Sequence, residues 1–225
     1  KLQKALQELI KNKLTTVQRL ELSNDYISEG YALKGVLKAD MENIRATLEK
    51  INYNTFEDVV KKIFEAKRIY IIGLRSSTAL AEFLGFYLNI ILQNVRTVGN
   101  GISDIFEQMI NVEEGDLVIG IGFPRYASRT IDALAFAQDR GAKVVAITDS
   151  LLSPLAAKAD YSLIAQSNMA SFVDSLVAPL SVINALIIAV GMREKQSITN
   201  TFNSLESIWK EYNVYSYNNK NVGDD

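Results

Sequence analysis

The stretch DLVIGIGFPRYASRTIDALAFAQDRGAKVVAITDS, from Asp116 to Ser150, decides the fold. An apolar run with little alternation, Leu117 to Ile121, stops at Gly122 and passes through an arginine-bearing loop into an amphipathic helix from Ser128 to Arg140. Gly141 supplies the expected helix stop, and a second run, Lys143 to Thr148, follows at once. Strands buried on both faces read as continuous apolar runs, and strand, helix, strand with short connections is the unit of a parallel sheet. The same pattern occurs upstream in RIYIIGLRSSTALAEFLGFYL, Arg68 to Leu88, where Ile69 to Ile72 stops at Gly73 and a hydroxyl-rich loop enters a helix near Ser77 to Leu92. Two helix N-termini therefore open onto loops that offer backbone amides to an anion.

Outward from these two segments, strands are predicted near Val95 to Val98 and Tyr161 to Ile164, and helices near Ile102 to Ile110 and Ser171 to Met192, the last with Gly191 as its stop. The predicted fold is α/β: a doubly wound, parallel, five-stranded sheet flanked by helices, with extra N-terminal helices. One of these runs from Tyr31 to Asn52, with Leu33, Val36, Leu37, Met41, Ile44, Leu48 and Ile51 on one stripe. The other opens on a Thr55/Asp58 capping box and buries Val59, Val60, Ile63 and Phe64. Both are expected to pack on the body. Residues 31–215 are read as one domain, and residues 216–225 as a polar tail that frays. Residues 1–30 form one or two helices and a connection; a helix opening at the first residue without an N-cap suggests a fragment of something longer.

Composition narrows the chemistry. The 225 residues are 48% hydrophobic, enough for a sizeable core, and 24 basic against 26 acidic residues give a net charge of -2 with no electrostatic footprint for nucleic acid or an anionic membrane. The chain holds no cysteine, which removes disulfides and thiolate sites. No apolar stretch reaches the roughly 18–20 residues that span a bilayer. Residues 1–14 read as an amphipathic helix rather than a signal peptide, so a cytoplasmic setting is expected. The chain also lacks histidine, the commonest general acid-base group and metal ligand near neutral pH, so no metal and no cofactor are implied.

The motifs IYIIGLRSS, VIGIGFPRYASRTIDALAFAQDRGAKVVAITDSLLSPLAAKAD and SFVDSLVAPLSVINALI resemble the sugar isomerase (SIS) domain, in the form found in RpiR/MurR-type bacterial transcription regulators. The likeness covers nearly the whole chain. KLQKALQELIKNKLTTVQRLELS is similar to the last helix and linker that follow the helix-turn-helix domain of those regulators, which implies that the reading domain is missing here. The resemblance further implies a sheet domain that forms homodimers or tetramers, binds a phosphosugar effector and changes how an attached domain holds DNA.

Carried over residue by residue, the family's site falls on Gly73, Arg75, Ser76 and Ser77 in the first loop and on Gly122, Arg125, Tyr126, Ser128 and Thr130 in the second. Arg75 stands where many relatives have glycine. The usual Ser-x-Ser-Gly-x-Thr of the second loop is replaced by Gly122 to Ala127, without its three hydroxyls. Arginines supply charged, potentially bidentate donors in their place. Each residue also has a structural reading: Ser76 and Ser77 as helix caps, Arg129 paired with Asp132, Tyr126 at a subunit contact, Asp149, Ser150 and Ser153 in turns, and Asp174 at a helix start serving its dipole.

The expected function is effector sensing and oligomerisation in a transcription regulator, with a small anionic carbohydrate as partner, DNA reached only through the missing domain, and no membrane. A sugar-phosphate aldose-ketose isomerase is the enzymatic alternative. It needs a base, for which Asp104 and Glu107 are the nearest carboxylates, although both suit the first turn of a short helix. A structural dimerisation module with a decayed site is the third reading.

Overall fold

The computed structural model describes residues 15, 17–18, 32–99, 101, 103–169 and 171–215. The helices and linker expected across residues 1–30, save those three, and the tail 216–225 lie outside them. Helices α1 (Ala32–Lys50) and α2 (Tyr53–Glu65) lead into β1 (Ile69–Gly73) and α3 (Thr78–Ile91). Then follow β2 (Val95–Val98), α4 (Ile105–Gln108), β3 (Leu117–Ile121), α5 (Ser128–Asp139), β4 (Lys143–Thr148) and β5 (Tyr161–Ile164). Helices α6 (Val177–Arg193) and α7 (Lys195–Glu211) come last.

All five strands are parallel, in the order β2-β1-β3-β4-β5. The unalternating runs have the expected cause, since β1, β3 and β4 bury both faces. Ile69, Ile71, Leu117, Ile119, Ile121, Val145 and Ile147 share one core with α2, α3 and α6. Tyr70, Ile72, Val118, Val144 and Ala146 share the other with α4 and α5.

The boundaries depart from the sequence reading where local chemistry competes. The helix expected from Ser171 begins only at Val177, because an earlier start would put Pro179 in the helix interior, where it lacks the amide for the Ser175 carbonyl; in the first turn it is tolerated. Gly191 does not stop this helix, which runs on to Arg193. The helix expected from Ile102 to Ile110 shrinks to Ile105–Gln108. Helix α2 is capped by Asn52, whose side chain accepts from the Thr55 amide at 3.1 Å, so the Thr55/Asp58 capping box is not formed. Helix α7 has no counterpart in the sequence reading.

Helix α1 inverts the expected packing. Its buried residues are polar: Asn43 exchanges two hydrogen bonds with the Asn168 backbone (2.8 and 3.1 Å), and the Thr47 hydroxyl accepts from the Gln166 amide at 2.8 Å. The apolar stripe points outward, with Leu33 76%, Met41 69% and Leu48 62% exposed.

Candidate anion-binding cleft

The strand order creates the site. The chain moves from β1 to one edge at β2, then returns past β1 and builds β3, β4 and β5 toward the other edge. Helix α3, following β1, packs on one face, and α5, following β3, packs on the opposite face. The loops after β1 and β3 therefore diverge and leave a crevice at the strands' C-terminal ends, where ligands of doubly wound sheets bind. The cleft holds about 650 Å³, within the range usual for small-molecule sites.

Each loop places an arginine in left-handed backbone, Arg75 at φ 59° and Arg125 at φ 67°. That conformation costs a side-chain-bearing residue of order 1–3 kcal/mol and concentrates at functional sites. Both arginines are exposed at the cleft. Neither α3 nor α5 receives a side-chain cap, unlike α2 and α4. Backbone carbonyls take part of that role, Arg75 for the Thr78 amide of α3 and Ala127 for the Thr130 amide of α5 at 3.0 Å, while the positive end of each helix still favours an anion.

Eight of the nine expected residues line this cleft: Arg75, Ser76, Ser77, Gly122, Arg125, Tyr126, Ser128 and Thr130. Gly73 sits outside the lining, at the end of β1, where a Cβ would meet the Ser77 carbonyl oxygen at 2.6 Å; it lets the loop fold back against its own strand. Ser77 is buried and precedes α3 without capping it by its side chain, so the cap reading fails for it. The Ser76 hydroxyl is turned away from the helix and donates to Asp174 Oδ2 at 3.2 Å.

Tyr126 is half-buried and packs on the second core cluster. Its hydroxyl donates to Asp149 Oδ1 at 2.7 Å. Burial first, and then the Asp149 carboxylate, push the phenol's pKa well above its ordinary value, so it stays a neutral donor. Ser150 and Ser153 have the turn roles expected of them, accepting from the amides of Leu152 and Ala156, each at 3.1 Å. Thr130 is buried, and its hydroxyl has no hydrogen-bond partner among the described residues.

Arg129 pairs with Asp104 rather than Asp132 and lies 5.5 Å from the Phe106 ring centre. Asp104 and Glu107 form the capping box of α4, accepting from the Phe106 and Asp104 amides at 3.0 and 2.8 Å. Asp174 is not in a helix start; it precedes α6 and enters the cleft with Phe172. These two escape the sequence reading because SFVDS reads as the opening of an apolar helix. With Arg75, Arg125, Arg129 and Asp174, the lining has three guanidinium groups against one carboxylate, a formal +2.

A family model of the SIS domain matches residues 62–189. The sugar isomerase domain of an RpiR transcription factor from Sphaerobacter thermophilus superposes with a TM-score of 0.75 at 30% identity, covering 79% of this chain and 99% of that one. The NanR protein of Vibrio vulnificus, solved complexed with ManNAc-6P, shares the fold at a TM-score of 0.68 and 18% identity, with 84% of this chain and 74% of that chain covered. An uncharacterized HTH-type transcriptional regulator of Haemophilus influenzae is 30% identical over 142 residues, which are 63% of this chain and 48% of its own length. A second such regulator, from Caldanaerobacter subterraneus, is 30% identical over 93 residues, or 40% of this chain and 33% of its own. The chain thus spans about half the length, or less, of the curated relatives it matches. A five-stranded parallel sheet with a cleft at its reversal point, a matching family model and a near-complete overlap with a regulator's domain together establish that the chain belongs to the SIS domain family, in the form carried by RpiR-type transcription regulators.

Proposed function

We propose that the chain is the effector-sensing and oligomerising part of a DNA-binding transcription regulator, and that its cleft takes the anionic group of a phosphosugar or related carbohydrate derivative. The observation that carries the reading is the pair of left-handed arginines, one in each loop, beside two helix N-termini without side-chain caps. Backbone strain kept at two matching places needs a use beyond folding, and a shared anion supplies one. Arg125 is the proposed charged clamp, Ser76, Ser77, Ser128 and Thr130 the neutral donors, and Tyr126 a neutral contact beside them.

Sensing is favoured over isomerisation because Asp104 and Glu107, the carboxylates nearest by family position, serve as helix caps and Asp104 is ion-paired. An open cleft of about 650 Å³ argues against decay. In the reading, residues 1–30 join this domain to a DNA-reading domain, and the setting is cytoplasmic; among the described residues no single helix is long and apolar enough to cross a membrane.

A thermal-shift screen across sugar phosphates, sugar acids and inositol-like compounds tests the assignment. Stabilisation by a phosphorylated or acidic sugar, but not by its neutral parent, is expected. Stabilisation by neither sinks it.

Self-association is proposed to run through the outward stripe of α1, whose apolar side has no cover while its polar side holds the body. Ile183 of α6 is buried in the core, and Leu176 and Leu180 pack against it. Light scattering at micromolar concentration should give a multiple of the 25.0 kDa chain mass, reduced by Met41→Asp. A monomer would refute it.

A further inference from the structure

We propose that Asp174 is an internal anion: its carboxylate holds the place of the effector's anionic group beside Ser76, and its displacement is passed to α1 through Ser175. This rests on the reading of the cleft as an anion site. The turn Ser171–Leu176, between β5 and α6, reaches two places at once. Asp174 accepts the Ser76 hydroxyl at 3.2 Å inside the cleft, and its neighbour Ser175 donates to Asp40 Oδ1 on α1 at 2.6 Å.

A serine hydroxyl carries a single proton to donate. While Ser76 gives it to Asp174, it cannot give it to a bound anion, so an anion recognised by Ser76 must take the carboxylate's place. Like charges in one cleft enforce the same exclusion, because the anion and Asp174 compete for the field of Arg75 and Arg125. Asp174 and Ser175 are consecutive, so the backbone change that frees one alters the hydrogen bond of the other. Helix α1 is a suitable receiver. Its buried residues are Asn43 and Thr47, held by hydrogen bonds rather than by apolar packing, so a small shift costs little core burial.

The probe is inorganic phosphate, followed by calorimetry and by amide hydrogen exchange over residues 38–47. In the parent chain, saturating phosphate should change exchange in α1. Asp174→Asn keeps the shape and removes the charge; it should bind phosphate about threefold more tightly, with α1 exchange already moved toward the phosphate-bound value before any anion is added. Ser175→Ala, which has no hydrogen bond to Asp40 to give up, should bind phosphate at least as tightly as the parent while its α1 exchange no longer responds. Equal or weaker phosphate binding by Asp174→Asn would show that the carboxylate helps hold the ligand, and α1 exchange indifferent to phosphate in the parent would remove the coupling; either overturns the proposal while the anion reading stands. A parent chain that takes up no phosphate removes the anion reading and the proposal with it.

Discussion

Strands β1 and β3 lie side by side in register, yet their two ends use arginine in opposite ways. At the N-terminal ends, Arg68 and Asp116 immediately precede the strands and face each other. The Asp116 side chain is fully buried and accepts from Arg68 at 3.1 and 2.9 Å and from the Glu113 amide at 3.1 Å. The hydrogen bonding of the Arg68 guanidinium to the Asp116 carboxylate is the main cause that lifts the Arg68 pKa above its ordinary value. At the C-terminal ends, Arg75 and Arg125 stand in left-handed backbone at an open cleft. One end spends its charges on closing the fold. The other carries a conformational cost at two matching loops, and such local inconsistency is where function is to be sought.

The largest expected effect belongs to the closed end. Asp116→Ala removes a buried carboxylate with three donors and should destabilise the chain by about 3 kcal/mol, seen as a lower urea midpoint with unchanged slope. A loss under about 1 kcal/mol would mean that the pair is ornamental and the contrast between the ends is false.

Next comes the open end. Arg125→Ala should weaken binding of the effector found by screening by about tenfold or more, while Ser76→Ala, which removes a neutral donor, should cost less. Calorimetry on both variants decides the order, and the urea midpoint of Arg125→Ala should stay near the parent's. If Arg125→Ala binds like the parent and Ser77→Ala does not, recognition belongs to the first loop alone.

The sequence made the architecture legible because apolar runs closed by glycine, such as Leu117–Ile121, are what strands covered on both faces require. It made most of the cleft legible for the same reason, since both loops follow such strands. What it hid depends on tertiary partners. Asp174 looks like a helix start until Pro179 is counted as a first-turn residue, and Arg129 finds Asp104 across 25 positions rather than Asp132 beside it. The stripe on α1 was visible, but periodicity cannot say which side meets the body; the hydrogen bonds of Asn43 and Thr47 settled that against the apolar side. Left-handed arginines are also invisible in one sequence, because only glycine advertises that conformation.

A smaller effect separates strain from recognition. Arg75→Gly places a residue suited to φ 59° where arginine now stands, so the chain should become more stable by about 0.5–1 kcal/mol while anion binding weakens. Opposite movements of urea midpoint and affinity are the expected signature. A variant less stable than the parent would show that the Arg75 side chain supports the loop, which would bring the two ends of the strands closer in kind.

The smallest effect concerns Tyr126, a cleft residue held to the body through its hydroxyl. Its phenol lies half-buried against the Asp149 carboxylate, and burial and that charge raise its pKa above the ordinary 10.0. A group with a raised folded-state pKa contributes stability that is complete below its unfolded value and is lost as pH climbs past it. Below about pH 10, then, Tyr126 adds no slope to stability; above it, the folded chain retains a proton that the unfolded chain releases, and stability falls. Urea midpoints measured at pH 8, 9, 10 and 11 should fall less steeply in Tyr126→Phe than in the parent across the upper interval, with no difference in slope between pH 8 and 9. Parallel curves throughout would mean that the phenol ionises as freely folded as unfolded, and that the contact with Asp149 is looser than 2.7 Å implies.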